Sequence, residues 1–75
     1  MSSRISIDPA ICQGKPVITG TRVLVSTLLG ALAGGDSIET VLEDYPTVTR
    51  EDIAAALEFA KELSDYQVRP YEAVA

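Results

Sequence analysis

SIETVLEDYPTVTREDIAAALEFAKELSD, residues 37–65, is the stretch that decides the fold. Apolar residues recur at helical spacing in its first part, and Pro46 ends that helix because the residue before a proline is pushed out of the α region. Thr49 begins the next helix, since Asp52 three residues later nearly completes a capping box, whose usual partner is Glu or Gln. The stretch therefore predicts helices over 37–45 and 50–65, joined like a helix-turn-helix pair.

The second of these helices carries apolar residues on two sides. The stripe expected to be buried consists of Ile53, Ala56, Leu57, Ala60 and Leu63. A second, weaker stripe consists of Ala55, Phe59 and Tyr66. Because a small domain has few elements to cover both sides, the second stripe is covered either by a partner or by the N-terminal segment.

Toward the N-terminus, the sequence predicts one more helix and a β arm. Leucines at 24, 28, 29 and 32 share one face of a helix over 25–33, which the glycines at 34 and 35 end. Residues 3–23 form the arm, because 4–8 alternate polar and apolar and the triplets 17–19 and 21–23 favour β structure. The predicted fold is mainly α: one domain with a β arm (3–23), a trihelical core (24–66) and a tail (67–75).

Composition limits what else the chain can be. Seventy-five residues with one cysteine and no histidine offer neither a disulfide nor a zinc cage to supplement a small core, so we expect a homodimer. The N-terminus shows no export signal, and the longest uncharged run, 23–35, is too short to span a bilayer. With the lone thiol, these features predict a cytoplasmic protein that makes no membrane contact.

The inventory of side chains argues against an enzyme. Histidine, the commonest general base, is absent, and Cys12 has no histidine partner to activate it. Gly14-Lys15 is no phosphate-binding loop, because Pro16 stands where Ser or Thr is required and Pro9 replaces the upstream glycine. We therefore expect no catalytic residue, no metal and no cofactor, and a protein that works by binding partners.

Two blocks of sequence resemble a known family. They are 7–9 with 14–23 (IDP and GKPVITGTRV), and 44–49 with 51–60 (DYPTVT and EDIAAALEFA). Together they resemble domain-of-unknown-function family 433 of bacteria and archaea, over about residues 3–66. The resemblance implies a homeodomain-like or winged-helix-like three-helix core with a short β arm. It also implies an antitoxin-like role, since members resemble antitoxins encoded beside a PIN-like ribonuclease toxin.

Nucleic acid is one ligand that a helix-turn-helix implies. The net charge of −5 disfavours non-specific binding, although a dimer can gather a few basic residues on one face. At the start of the second helix of the pair, Arg50 is the one good contact to operator DNA, with two carboxylates beside it. Paired arms of a dimer can also present Arg4, Lys15 and Arg22. The alternatives are a trihelical fold that serves only as a packing unit, and an Arg22 that pairs with a carboxylate or caps a helix.

Protein partners are the other ligand class. We expect the stripe of Ala55, Phe59 and Tyr66 to contact a second copy or a partner. In the tail, Arg69 can enter the acidic metal site of a PIN-like nuclease while Tyr71 anchors nearby, unless the tail is a frayed end. The sequence thus predicts an antitoxin-like protein that neutralises a PIN-like ribonuclease and contacts operator DNA. The alternative is an adaptor that binds no nucleic acid.

Overall fold

The computed structural model describes residues 3–65. Strands β1 (Ile5–Ser6) and β2 (Val17–Ile18) precede three helices, α1 (Val25–Ala33), α2 (Ile38–Asp44) and α3 (Arg50–Ser64). This is the mainly α, three-helix fold with an N-terminal β arm that the sequence predicts. The helices end within one residue of their predicted bounds.

The arm is a two-stranded antiparallel hairpin, in which Ile5 lies opposite Ile18 and Ser6 opposite Val17. Between the strands, residues 12–14 form a single 3₁₀ turn. An isolated hairpin of this size is not stable in water. Here Ile5 and Ile18 are buried in the same core as the helices, so the hairpin is stabilised by packing.

A tight turn leads from β2 toward α1. Gly20 has φ +82°, a conformation that side chains disfavour, and Thr21 closes the turn. The Thr21 hydroxyl donates to the Ile18 carbonyl at 2.8 Å and accepts the Val23 N–H at 3.0 Å. The β preference of residues 21–23 is therefore not realised as a strand, because a side chain satisfies the backbone locally.

The core lies where the hairpin and the three helices meet. Leu28 of α1 and Val41 of α2 are completely buried, and Ile53 of α3 is 1% exposed. The other buried apolar residues of this cluster are Ile5, Ile18, Val25, Val48, Ala55 and Ala56. Burying a Val, Leu or Ile side chain contributes about 1.5–3 kcal/mol, so the larger side chains of this cluster supply most of its favourable burial energy.

The buried side of α3 differs from the predicted one. Ala55, assigned to the second stripe, is 8% exposed and belongs to the core, whereas Leu57 is 46% and Leu63 is 63% exposed. The prediction that both leucines are buried is wrong. The core contacts the side of α3 between the two stripes, and all residues from 61 to 65 are exposed, so the end of the helix has no cover within the described chain.

Candidate interaction surfaces

The start of α3 is tied to the segment before β1. Thr49 and Asp52 form the predicted capping box: Thr49 Oγ1 accepts the Asp52 N–H at 3.1 Å, and Asp52 Oδ2 accepts the Thr49 N–H at 3.0 Å. The other carboxylate oxygen, Oδ1, accepts a hydrogen bond from the Arg4 guanidinium at 3.0 Å. One buried carboxylate thus caps a helix and holds the arm against it.

The surroundings of Asp52 favour its ionised form. Its burial opposes the charged form, but the Thr49 N–H and the Arg4 guanidinium outweigh burial, and the pKa of the carboxyl is lowered. The positive charge of Arg4 is therefore balanced inside the chain. Its predicted contact with a DNA phosphate stays a prediction, and such a contact would compete with this ion pair.

Arg50 is also held by a carboxylate. Its guanidinium pairs with Glu39 of α2, and both side chains are more than half exposed. The hydrogen bond from Arg50, a backbone hydrogen bond at Glu39 and the attraction between the two charges lower the pKa of Glu39. The other exposed carboxylates of α2 and of the first turn of α3 are Glu43, Asp44 and Glu51. Arg50 thus lies on an acidic surface, and its predicted contact with DNA stays a prediction.

Lys15 and Arg22 differ from these two arginines. Both are exposed, and neither forms an ion pair with any residue between 3 and 65. The alternative in which Arg22 pairs with a carboxylate is therefore not found within the described residues. These two cations are available to an anionic ligand.

A cavity of about 400 Å³ lies beside Arg22. It is lined by Ser6, Ile11, Val17, Gly20, Thr21 and Arg22. The cavity therefore lies between β1, β2, the residue that precedes the 3₁₀ turn and the turn after β2. Its volume falls within the range of small-ligand sites, about 300–1,000 Å³.

The predicted partner-contact residues fall into two groups. Ala55 is buried in the core, and Phe59 is half-buried and packs against that core. Tyr66, Arg69 and Tyr71 lie outside the described residues. On the described part of α3, the exposed large apolar side chains are instead Leu57 and Leu63, with half-buried Ala60 between them; we call these three residues the α3 strip.

Residues three apart on a helix are neighbours, so the α3 strip is continuous along the helix surface. Leu63 also lies four residues after Phe59 and therefore beside it.

Between residues 3 and 65, no group of three or more His, Cys, Asp or Glu side chains is arranged to hold a metal ion. No helix in the same range has the length and apolar character needed to cross a membrane.

Comparison with known proteins places this fold in a family. Residues 5–60 match a family described as "Protein of unknown function (DUF433)". The chain belongs to the DUF433 family. The match covers most of the chain, and the predicted resemblance to this family is confirmed. The matched segment, residues 5–60, spans the hairpin, the cavity and the Glu39–Arg50 pair of this DUF433 domain, and it ends before Leu63.

A solved structure and a curated protein are similar to this DUF433 domain. The crystal structure of a DUF433 member from Anabaena variabilis ATCC 29413 superposes with a TM-score of 0.76 at 33% identity, over 81% of this chain and 60% of that chain. The uncharacterized protein y4eO of Sinorhizobium fredii (strain NBRC 101917 / NGR234) is 37% identical over 57 residues. That alignment covers 76% of this chain but 26% of y4eO, so the domain matches about a quarter of that protein.

Sequence reasoning missed two features of this DUF433 domain. The cavity depends on contacts between distant segments, so periodicity carries no signal of it. The pairing of Arg4 with Asp52 crosses 48 positions and is equally invisible locally. A partial signal existed for the α3 strip, because two apolar stripes on one helix indicate surplus apolar surface, but Leu57 and Leu63 belong to the stripe that was predicted to be buried.

Proposed function

We propose that this DUF433 domain is a protein-binding module, and that it acts as the antitoxin-like member of a toxin–antitoxin pair whose partner is a PIN-like ribonuclease. The observation that carries the proposal is the α3 strip, with Leu63 63% exposed beside half-buried Phe59. Covering one such leucine contributes roughly 1.5–3 kcal/mol, enough for a few residues to anchor a partner.

The charges near α3 favour a protein partner over nucleic acid. Arg50 is paired with Glu39 and Arg4 with Asp52, and further carboxylates are exposed on α2 and at the start of α3. A DNA backbone approaching this surface would meet net negative charge. Operator binding, within this proposal, belongs to Lys15 and Arg22 of the arm instead of to α3.

The size of a relative supports a modular role. Because the alignment covers 26% of y4eO, that protein has further sequence around the similar segment. A domain that is found within a longer chain is suited to bringing partners together. The same observation fits the adaptor alternative, in which the α3 strip binds a protein that is not a nuclease.

Self-association belongs to the same proposal. The described chain is short and has a small core, and an apolar strip remains exposed on its longest helix. We propose a homodimer. The ribonuclease either binds to this dimer or takes the place of the second copy of the chain. Light scattering at micromolar concentration should give the mass of two chains, and the mass of one chain would contradict the dimer.

Co-expression with the protein encoded next to this chain tests the function. We expect that protein to cleave RNA when purified alone, and a stoichiometric amount of this chain to suppress the cleavage. Co-purification without any effect on ribonuclease activity would favour the adaptor. Absence of a complex at micromolar concentrations of both proteins would contradict both readings.

The tail is tested in the same assay. Truncation after Ser64 removes Arg69 and Tyr71 and leaves α3 intact. If the tail reaches the acidic nuclease site, the truncated chain should lose inhibition while it still binds. Arg69→Ala alone should then reproduce much of that loss, because one guanidinium supplies the contact. Full inhibition by the truncated chain would show that the tail has no part in it.

A further inference from the structure

The cavity beside Arg22 is formed by the arm, from which the proposed function uses only Lys15 and Arg22, as contacts to operator DNA. Five of its six lining residues, Ile11 and those at 17 and 20–22, belong to the arm after β1. Val17 is 1% exposed and Ile11 is half-buried, so one part of the lining is apolar. Arg22 adds one positive charge that no carboxylate between residues 3 and 65 neutralises.

Local hydrogen bonds fix the side of the cavity that carries Ile11. The Ile11 N–H donates to the Asp8 carbonyl at 2.8 Å, and the Ile11 carbonyl accepts the Gly14 N–H at 3.0 Å. The next residues, Cys12 and Gln13, have φ of +49° and +59°, which non-glycine residues rarely adopt. Such conformations persist only where the surroundings enforce them, and they are typical of binding sites.

The opposite side is fixed as well. Thr21 is held by the two hydrogen bonds that close the turn, which satisfy its hydroxyl within the chain. The Ser6 hydroxyl lies 2.6 Å from the Thr19 hydroxyl and is likewise engaged. Among the residues that line the cavity, Arg22 is the one with a charge, and its guanidinium is not engaged by any carboxylate between residues 3 and 65. A ligand must offer an anion to Arg22 and an apolar body to Ile11 and Val17.

We propose that this cavity binds a carboxylate attached to a short, branched apolar body. The guanidinium fork matches a planar carboxylate, which accepts two parallel hydrogen bonds. The apolar lining disfavours a phosphate, since a phosphate would have to give up water there without gaining apolar contact. Both a free organic acid and the C-terminal residue of a protein chain have this chemistry. The inference does not rest on the proposed function, because the α3 strip takes no part in it.

Titrations followed by ¹⁵N–¹H NMR test the inference on the full chain. The probes are 4-methylpentanoate, its neutral analogue 4-methylpentanamide, inorganic phosphate and the tripeptide Ala-Ala-Leu with a free C-terminus. We expect saturable shifts at residues 11, 17 and 20–22 with the acid, and none with the amide. Tighter binding of the tripeptide would assign the site to a chain end, and tighter binding of the free acid would assign it to a small metabolite.

Two exposed cations provide a matched pair of variants. Arg22→Gln should weaken binding of 4-methylpentanoate about tenfold, because a hydrogen bond to a charged group is lost. Lys15→Gln should leave the affinity for 4-methylpentanoate unchanged. Ile11→Trp, which narrows the cavity without a change of charge, should abolish binding. Equal binding of acid and amide, equal effects of the two glutamine variants, or the same shifts with phosphate would overturn the proposal. So would the absence of shifts at 10 mM acid, about the weakest affinity such a site should have.

Discussion

Asp52→Ala is the substitution whose effect the structure defines most closely. It removes the carboxylate half of the capping box, a loss worth about 0.5–2 kcal/mol. It also removes the acceptor of a hydrogen bond from Arg4, but that side chain is 47% exposed and regains water, so little is added. Alanine recovers roughly 0.5 kcal/mol through its helix propensity. We expect the free energy of unfolding to fall by about 1 kcal/mol.

Urea unfolding followed by circular dichroism at 222 nm measures this change. In a thermal scan of a domain of this size, about 1 kcal/mol corresponds to a fall in Tm of roughly 4–8 °C. Asp52→Asn, which keeps a hydrogen-bond acceptor but removes the charge, should lower the free energy of unfolding by about half as much. Glu58→Ala, at an exposed position of the same helix, is the control and should stay within about 0.5 kcal/mol of the parent chain. An Asp52→Ala variant as stable as this control would refute the role assigned to the carboxylate.

Further predictions follow from burial and charge. The native pKa of Asp52 lies below its unfolded value, so the stability that Asp52 contributes is present above pH ~4 and is lost as the pH falls through the native pKa. In urea titrations at acid pH, the parent chain and Asp52→Asn should therefore converge to the same free energy of unfolding. Leu28→Ala should cost about 3 kcal/mol, and exposed Leu57→Ala less than about 0.5 kcal/mol, in the same assay. Phe59→Asp should unfold the chain, which a lost helical signal would show, and a folded monomer would contradict the packing of Phe59 against the core. Arg50→Ala should leave operator binding in ~50 mM salt unchanged in a gel-shift assay, and a marked loss would restore α3 as the DNA-reading helix.

Local chemistry explains why the helices were predictable. Pro46, the Thr49–Asp52 spacing and the glycine pair after α1 act within a few residues, and the structure places helix ends at each of them. The hairpin was predictable as an arm but not in detail, because the Thr21 hydroxyl converted a β-favouring triplet into a turn.

The burial of α3 was only partly predictable. Helical periodicity shows which residues share a face, but the neighbouring elements decide where along the helix that face is covered. Leu57 and Leu63 follow the same spacing as Ile53, yet only Ile53 is reached by the core. The same limit applies to the cations, since Arg4 and Arg50 owe their partners to tertiary contacts with Asp52 and Glu39.

The affinity of the partner for a Leu63→Asp variant tests the central claim most directly. Leu63 is 63% exposed, so the variant should fold like the parent chain. Ile7→Asp is the matched control, because Ile7 is 48% exposed on the arm and undergoes the same change. Calorimetric titration against the protein encoded next to this chain should show binding weakened at least tenfold by Leu63→Asp, about 1.4 kcal/mol, and unchanged by Ile7→Asp. Equal affinities for both variants and the parent chain would contradict the assignment of the α3 strip as the partner-binding surface.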